Sequence, residues 1–180
     1  MRIYGNRAIK TLPGDVTRPT TGKVRQALFN IWQHRVDQGR WLDLCAGNGT
    51  MGAEALCRGA QSVTAIEQSP IACKIIRQNW EPLASADQQF LILRGSVIKK
   101  LATLQSNQYD LIYFDPPYQG GLYQPVLELL DRYGLLAPTG ELAVEHDPKI
   151  WPSPDRVGHM VRDRQKHYGK TTLSFYGWLD

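Results

Sequence analysis

Trp41-Leu42-Asp43-Leu44-Cys45-Ala46-Gly47-Asn48-Gly49-Thr50-Met51-Gly52 is a short apolar run that breaks into glycines. A run of this length, ending in glycine, reads as a buried strand that turns tightly into whatever follows. Thr50 to Arg58 then reads as helical. Glycines belong at such a turn because the backbone bends sharply there and lets a ligand touch the main chain. Gly47, Gly49 and Gly52 also satisfy G-x-G-x-x-G, which by itself admits a dinucleotide cofactor.

Downstream of this loop the pattern alternates. Ser62 to Ile66 reads as a second strand ending at Glu67, and Ser69-Pro70 opens a helix running to about Trp80. Phe90 to Leu93 is a third strand, residues 97–104 a short helix, and Asp110 to Phe114 a fourth strand ending at Asp115. Residues 122–133 read as helix and Gly140 to Glu145 as a fifth strand. Strands alternating with helices imply parallel βαβ units and a doubly wound, mostly parallel α/β sheet. Arg156 to Gln165 and Thr171 to Trp178 flank Tyr168-Gly169-Lys170 and read as a closing antiparallel hairpin. Upstream, residues 1–19 hold the breakers Gly5, Pro13, Gly14 and Pro19, with room for short strands. Thr20 or Thr21 can cap a following helix, whose Val24, Leu28, Ile31 and Trp32 recur at helical spacing. The expected division is a basic arm or short hairpin over residues 1–19 and one α/β domain over 20–180.

Glu67 ends the second strand near the offset at which a carboxylate binds a ribose hydroxyl pair. Nicotinamide dinucleotide and S-adenosylmethionine would both use it this way. Asp43 favours the latter: a carboxylate just before the loop suits a cationic amino-acid tail and repels a pyrophosphate. Asp43 can also cap the loop amides.

Asp115-Pro116-Pro117-Tyr118 follows the fourth strand directly, at the carboxyl edge where ligands of open α/β sheets bind. Two prolines stiffen the backbone and remove two amide donors. What faces outward is acceptor chemistry, the Asp115 carboxylate and the Pro116 carbonyl. An exocyclic amino group offers two donors, so two convergent acceptors hold it and keep its lone pair available for attack on a methyl sulfonium. Tyr118 supplies a flat face for an extruded base.

With these residues in view, the chain resembles the RsmD-type family of guanine-N2 methyltransferases of bacterial small-subunit (16S) ribosomal RNA. The resemblance rests on Arg18-Pro19-Thr20-Thr21, on Val24 to Ile31, on Leu42 to Gly52, on Glu54 to Ala60, on the Asp-Pro-Pro-Tyr motif, and on Tyr168-Gly169 and Leu173 to Tyr176. It implies a Rossmann-like class I methyltransferase fold, S-adenosylmethionine as cofactor and ribosomal RNA as substrate, in a small-subunit particle or assembly intermediate. It places Asp115, Pro116, Pro117 and Tyr118 in catalysis. Asp43, Cys45, Ala46, Gly47, Gly49, Thr50, Glu67, Gln68, Ser96 and Val97 become the expected cofactor residues. Ser96 stands where such enzymes often carry Asp, and its hydroxyl can still accept from an adenine amine. Adenine-N6 methylation of DNA or RNA shares the Asp-Pro-Pro-Tyr motif, and an NAD-dependent oxidoreductase shares the glycine spacing; both remain as alternatives, as does a non-catalytic RNA-binding domain.

The 180-residue chain carries a formal net charge of +4, unevenly spread. Residues 1–40 hold eight Lys or Arg against two Asp, and the remainder thirteen against fifteen acids. A basic end on a near-neutral body suggests a polyanion partner. Arg7, Lys10, Arg18, Lys23 and Arg25 are the expected phosphate contacts, unless some pair internally with Glu54 or Asp37. Three cysteines, with no C-x-x-C, argue against both a disulfide framework and zinc, and four scattered histidines offer no ligand spacing. No metal is expected. No apolar run reaches the roughly 18 residues of a membrane span, so a cytoplasmic protein is expected, with a monomer favoured.

Overall fold

The computed structural model describes residues 1–12 and 22–178. A small antiparallel hairpin, β1 (Arg2–Ile3) and β2 (Arg7–Ala8), turns through Tyr4–Asn6. It precedes α1 (Gly22–Ile31). The capping role expected of Thr20 or Thr21 lies outside the described residues. The alternating part follows as β3 (Arg40–Leu44), α2 (Thr50–Cys57), β4 (Ser62–Glu67), α3 (Pro70–Trp80), β5 (Gln89–Arg94), α4 (Val97–Leu101), β6 (Tyr109–Phe114), α5 (Tyr123–Arg132) and β7 (Leu136–His146). β8 (Arg156–Val157), β9 (Met160–Tyr168) and β10 (Thr171–Trp178) complete the chain.

One eight-stranded sheet runs in the order β5-β4-β3-β6-β7-β10-β9-β8. The first five strands in that order are parallel, and β10, β9 and β8 join antiparallel. The expected α/β fold is therefore present, with the order reversing at β3, where β4 lies on one side and β6 on the other. In open α/β sheets that reversal leaves a crevice at the carboxyl ends of the strands.

Both faces of the sheet are covered, which is why its central strands are apolar on both sides. α1, α2 and α3 pack on one face through Leu28, Phe29, Trp32, Leu56, Ile76 and Trp80. α4 and α5 pack on the other through Leu101, Val126, Leu127 and Leu130. Phe29 stacks on Trp41 with centroids 5.2 Å apart, and Trp32 meets the same ring edge-on at 5.4 Å. These two contacts fix α1 against β3. α3 begins as its sequence implies: Ser69 Oγ accepts from Ala72 N at 3.3 Å and Pro70 takes the first turn.

Two boundaries differ from the sequence reading. β7 starts at Leu136 rather than Gly140, since the register slips between Tyr109 and Leu111 and lets Pro138-Thr139-Gly140 pass as an irregularity. The strand expected over 156–165 is two strands. Gly158, at φ +58°, turns β8 back onto the start of β9.

Candidate active site

The two carboxylates that end or precede the βα turns are tied to backbone amides. Asp43, on β3, is buried, and its Oδ2 accepts from Gly52 N at 3.1 Å. Glu67, at the end of β4, accepts from Gly47 N through Oε2 and from Ser69 N through Oε1, each at 2.8 Å. One side chain thus holds two loops at fixed separation.

The three glycines divide their work. Gly47 has φ +57°, and a Cβ placed there would meet nothing within 4 Å. It lines the cavity described below. Gly49 and Gly52 face the other way. A Cβ on Gly49 would come within 2.9 Å of Ile76 and Trp80, and one on Gly52 within 2.2 Å of the Trp80 ring. Trp80 Nε1 also donates to Gly49 O at 2.8 Å. These glycines let α2 approach α3. Gly49, expected among the cofactor residues, is buried at the start of α2 and packs toward α3.

The cavity, about 630 Å³, runs along the carboxyl edge across the reversal point. Asp43, Cys45, Ala46, Gly47, Thr50, Glu67, Gln68, Ser96 and Val97 all line it, and so do Asp115, Pro116, Pro117 and Tyr118. Its wall holds four carboxylates, Asp43, Glu67, Asp115 and Glu145, and no Lys, Arg or His among the described residues. The charges are felt locally. Burial pushes the Asp43 carboxyl well up against the pull of the Gly52 amide, and the Glu67 charge adds to the push. Burial likewise pushes the Cys45 thiol up, helped by Glu67, Asp115 and Asp43. Such a wall welcomes a cationic ligand rich in donors and repels a pyrophosphate.

The Asp115 loop leaves β6 as a tight turn. Pro116 is buried, Asp115 and Tyr118 are half-buried, and Gly120 N donates to Pro117 O at 2.9 Å. Tyr118 leans on the apolar cluster of the α5 side. The motif's acceptors and its aromatic face are thus presented together at one edge of the cavity.

Several wall residues escape the sequence reading, among them Asn48, Met51, Tyr113, Ile150 and Glu145. Glu145 is buried on β7 and accepts from the Tyr113 hydroxyl. A signal for it exists. Three parallel strands end in an apolar run followed by an acid, at Glu67, Asp115 and Glu145.

The basic candidates separate. Arg7, Lys10 and Lys23 are exposed. Lys10 also docks the arm, its backbone amide donating to Asn79 Oδ1 at 2.8 Å. Arg18 lies outside the described residues. Arg25 is largely enclosed: its Nε lies 3.2 Å from Glu54 Oε2, its side chain is 12% exposed, and it donates to Arg2 O. Its assignment as a phosphate contact gives way to the internal pairing with Glu54. No group of three or more His, Cys, Asp or Glu among the described residues could hold a metal ion. No described helix is long and apolar enough to cross a membrane.

A doubly wound sheet with an acidic cavity at its reversal point and Asp-Pro-Pro-Tyr on the adjoining strand defines a Rossmann-like methyltransferase. The chain belongs to the family described as conserved hypothetical protein 95, whose model matches residues 1–177; this is the RsmD-type family its motifs resemble. It is 33% identical over 172 residues to the Bacillus subtilis protein named "Putative rRNA methyltransferase YlbH", covering 94% of this chain and 92% of that one. It is 29% identical over 154 residues to the Haemophilus influenzae protein named "Ribosomal RNA small subunit methyltransferase D", covering 83% and 80%. Among solved structures, "Putative methyltransferase yhhF from Escherichia coli" superposes with a TM-score of 0.85 at 26% identity, over 99% of this chain and 97% of that one.

Proposed function

We propose that this chain transfers a methyl group from S-adenosylmethionine to the exocyclic N2 amine of a guanine in small-subunit (16S) ribosomal RNA. One observation carries the reading: a cavity walled by four carboxylates and, among the described residues, no Lys, Arg or His, with Asp115-Pro116-Pro117-Tyr118 on its edge. The names of the relatives support ribosomal RNA as the substrate class.

The lining fits the cofactor. Gly47 leaves open the space a side chain would fill, and Glu67, on the same cavity wall, would accept from the ribose diol. Ser96 and Val97 line the same cavity and would take the adenine, and Asp43 favours the cationic amino-acid end. The cofactor supplies an electrophilic methyl carbon on a sulfonium. The chain's own part is orientation. Asp115 and the Pro116 carbonyl accept from the two N–H donors of the amine and aim its lone pair at the cavity. Tyr118 stacks on the base and keeps its plane fixed. Orientation of this kind is worth at most about 7–11 kcal/mol of barrier. Pro116 adds rigidity because its φ is fixed and it is buried.

The proposal extends to the surroundings: a basic N-terminal arm that uses Arg7, Lys10 and Lys23 on phosphates, a small-subunit particle as substrate, a monomeric enzyme and a cytoplasmic location. Incubation with tritiated S-adenosylmethionine and unmodified small-subunit particles, followed by nucleoside analysis, tests it. Label in N2-methylguanosine is expected. Label in N6-methyladenosine, or none, overturns it.

A further inference from the structure

Glu145 has no part in the chemistry so far, yet its position is tightly specified. In the parallel pair of β6 and β7, Tyr113 lies opposite Ala143 and Phe114 opposite Val144. One residue further, Asp115 follows the end of β6, and Glu145, still in β7 and paired with Leu173 of β10, comes next after Val144. Side chains two apart share a sheet face, so Tyr113, Asp115, Ala143 and Glu145 belong to one face. The hydrogen bond from the Tyr113 hydroxyl to Glu145 Oε2 agrees with this. Tyr123 grips the backbone of the same residue, donating to Glu145 O at 3.1 Å. Glu145 is 4% exposed and still lines the cavity beside Asp115 and Tyr118.

We infer that Glu145 is the residue that selects guanine, by accepting a hydrogen bond from its N1–H. This rests on the proposed methylation of a guanine amine. A base whose amine is held at Asp115 can turn the Watson–Crick-side ring nitrogen beside that amine toward Glu145, whose strand lies about 4.8 Å across the sheet. In guanine that atom is N1–H, a donor. In adenine, the neighbour of the amine is N1 without hydrogen, an acceptor. An ionised carboxylate is acceptor-only and has about four positions to offer, so it can take both Tyr113 and the base. Facing adenine, two acceptors meet and both lose their partners in a buried place, which is how a polar site rejects an analogue strongly. Asp115 and Pro116 cannot make this distinction, because both bases carry an amine. Tyr118 cannot either, because every base has a flat face.

The discriminating substrate is 2-aminoadenosine, which keeps the N2 amine of guanosine but has an acceptor at N1. The wild-type enzyme first locates its target in small-subunit particles, and splinted ligation then places 2-aminoadenosine at that position. Wild-type kcat/KM is expected to fall roughly 10- to 100-fold on the analogue. Glu145→Gln, whose amide can either accept from N1–H or donate to an N1 acceptor, is expected to bring the ratio of the two substrates to within a few-fold of one. Tyr113→Phe, which loosens the carboxylate without removing it, should lower the ratio in the same direction and covers the case in which Glu145→Gln does not fold. If both variants slow the two substrates by equal factors, Glu145 is structural and the inference fails while the methyltransferase reading stands. Equal wild-type rates on both substrates have the same meaning. Absence of any guanosine methylation by the wild type removes the functional reading itself, and the inference with it.

Discussion

In the proposed mechanism Asp115 and Tyr118 act on the same base in different ways, so their substitutions separate. Asp115→Ala removes an acceptor for the amine and is expected to abolish transfer while S-adenosylhomocysteine binding, read by calorimetry, changes by no more than a few-fold. Tyr118→Ala removes a stacking face worth about 1–3 kcal/mol and should raise KM for RNA more than it lowers kcat. Near-normal turnover in Asp115→Ala would falsify the acceptor pair. The glycines separate too. Gly47→Ala puts a side chain in the cavity at a backbone φ of +57°, and should weaken S-adenosylhomocysteine binding. Gly52→Ala drives a methyl to 2.2 Å from the Trp80 ring, and overpacking of that kind costs about 1–3 kcal/mol. Its signature is a lower melting temperature. A Gly52→Ala protein with unchanged stability and lost cofactor affinity would reverse the division of roles.

The N-terminal hairpin and α1 carry both paired and exposed charges. Glu54, on α2 and 2% exposed, accepts from Tyr4 N at 3.2 Å, pairs with Arg25 at 3.2 Å and pairs with Arg58 at 2.9 Å. Arg58 also lies over the Tyr4 ring, 4.5 Å from its centroid. This cluster fastens the hairpin and α1 to the body. Arg25→Ala takes one partner from a buried carboxylate and is expected to lower stability by about 1–3 kcal/mol. Lys23→Ala and Arg7→Ala touch exposed groups and should leave the melting temperature alone. Each is expected to flatten the dependence of log K on log salt for RNA binding by about one unit. A salt slope unchanged by both substitutions would remove the arm from the RNA interface.

At the scale of the whole molecule, ligand binding and pH both shift the folding equilibrium. S-adenosylhomocysteine should raise the melting temperature with the logarithm of its excess over Kd, and NAD should not, because the acidic wall repels its pyrophosphate. Thermal shift with each ligand decides between them. Acid acts through His146, fully buried between Tyr123, Trp151 and Ser174. Burial pushes its pKa down to about 4 from the ordinary 6.5. The unfolded chain therefore binds a proton at a higher pH than the folded one does. The contribution of neutral His146 is complete above about pH 6.5 and is lost as the pH falls towards 4. Melting temperature measured over that window should fall for the native chain and fall less for a His146→Gln variant.

Most of the parallel sheet was legible because its signals are local. An apolar run ending in an acid or a glycine marks each central strand from β3 to β7, and Ser69-Pro70 marks the start of α3. The carboxyl-edge residues Asp43, Glu67 and Asp115 were legible for the same reason: each is one or two residues from the end of a strand, and parallel strands bring those ends to one side. Tertiary structure decided what depends on distant partners. Gly49 and Gly52 pack on Trp80, about thirty residues away, so helix packing is a demand on the glycine spacing that the sequence does not display. Arg25 looks like a docking charge until Glu54 closes over it. Glu145 gains meaning only when β7 lies beside β6 and brings a second carboxylate to the cavity wall that Asp115 lines. Sequence determines the strands and the chemistry each one carries to its end. Which of those ends meet depends on strand order and on the helices packed between them, and so on burial that no single segment can achieve alone.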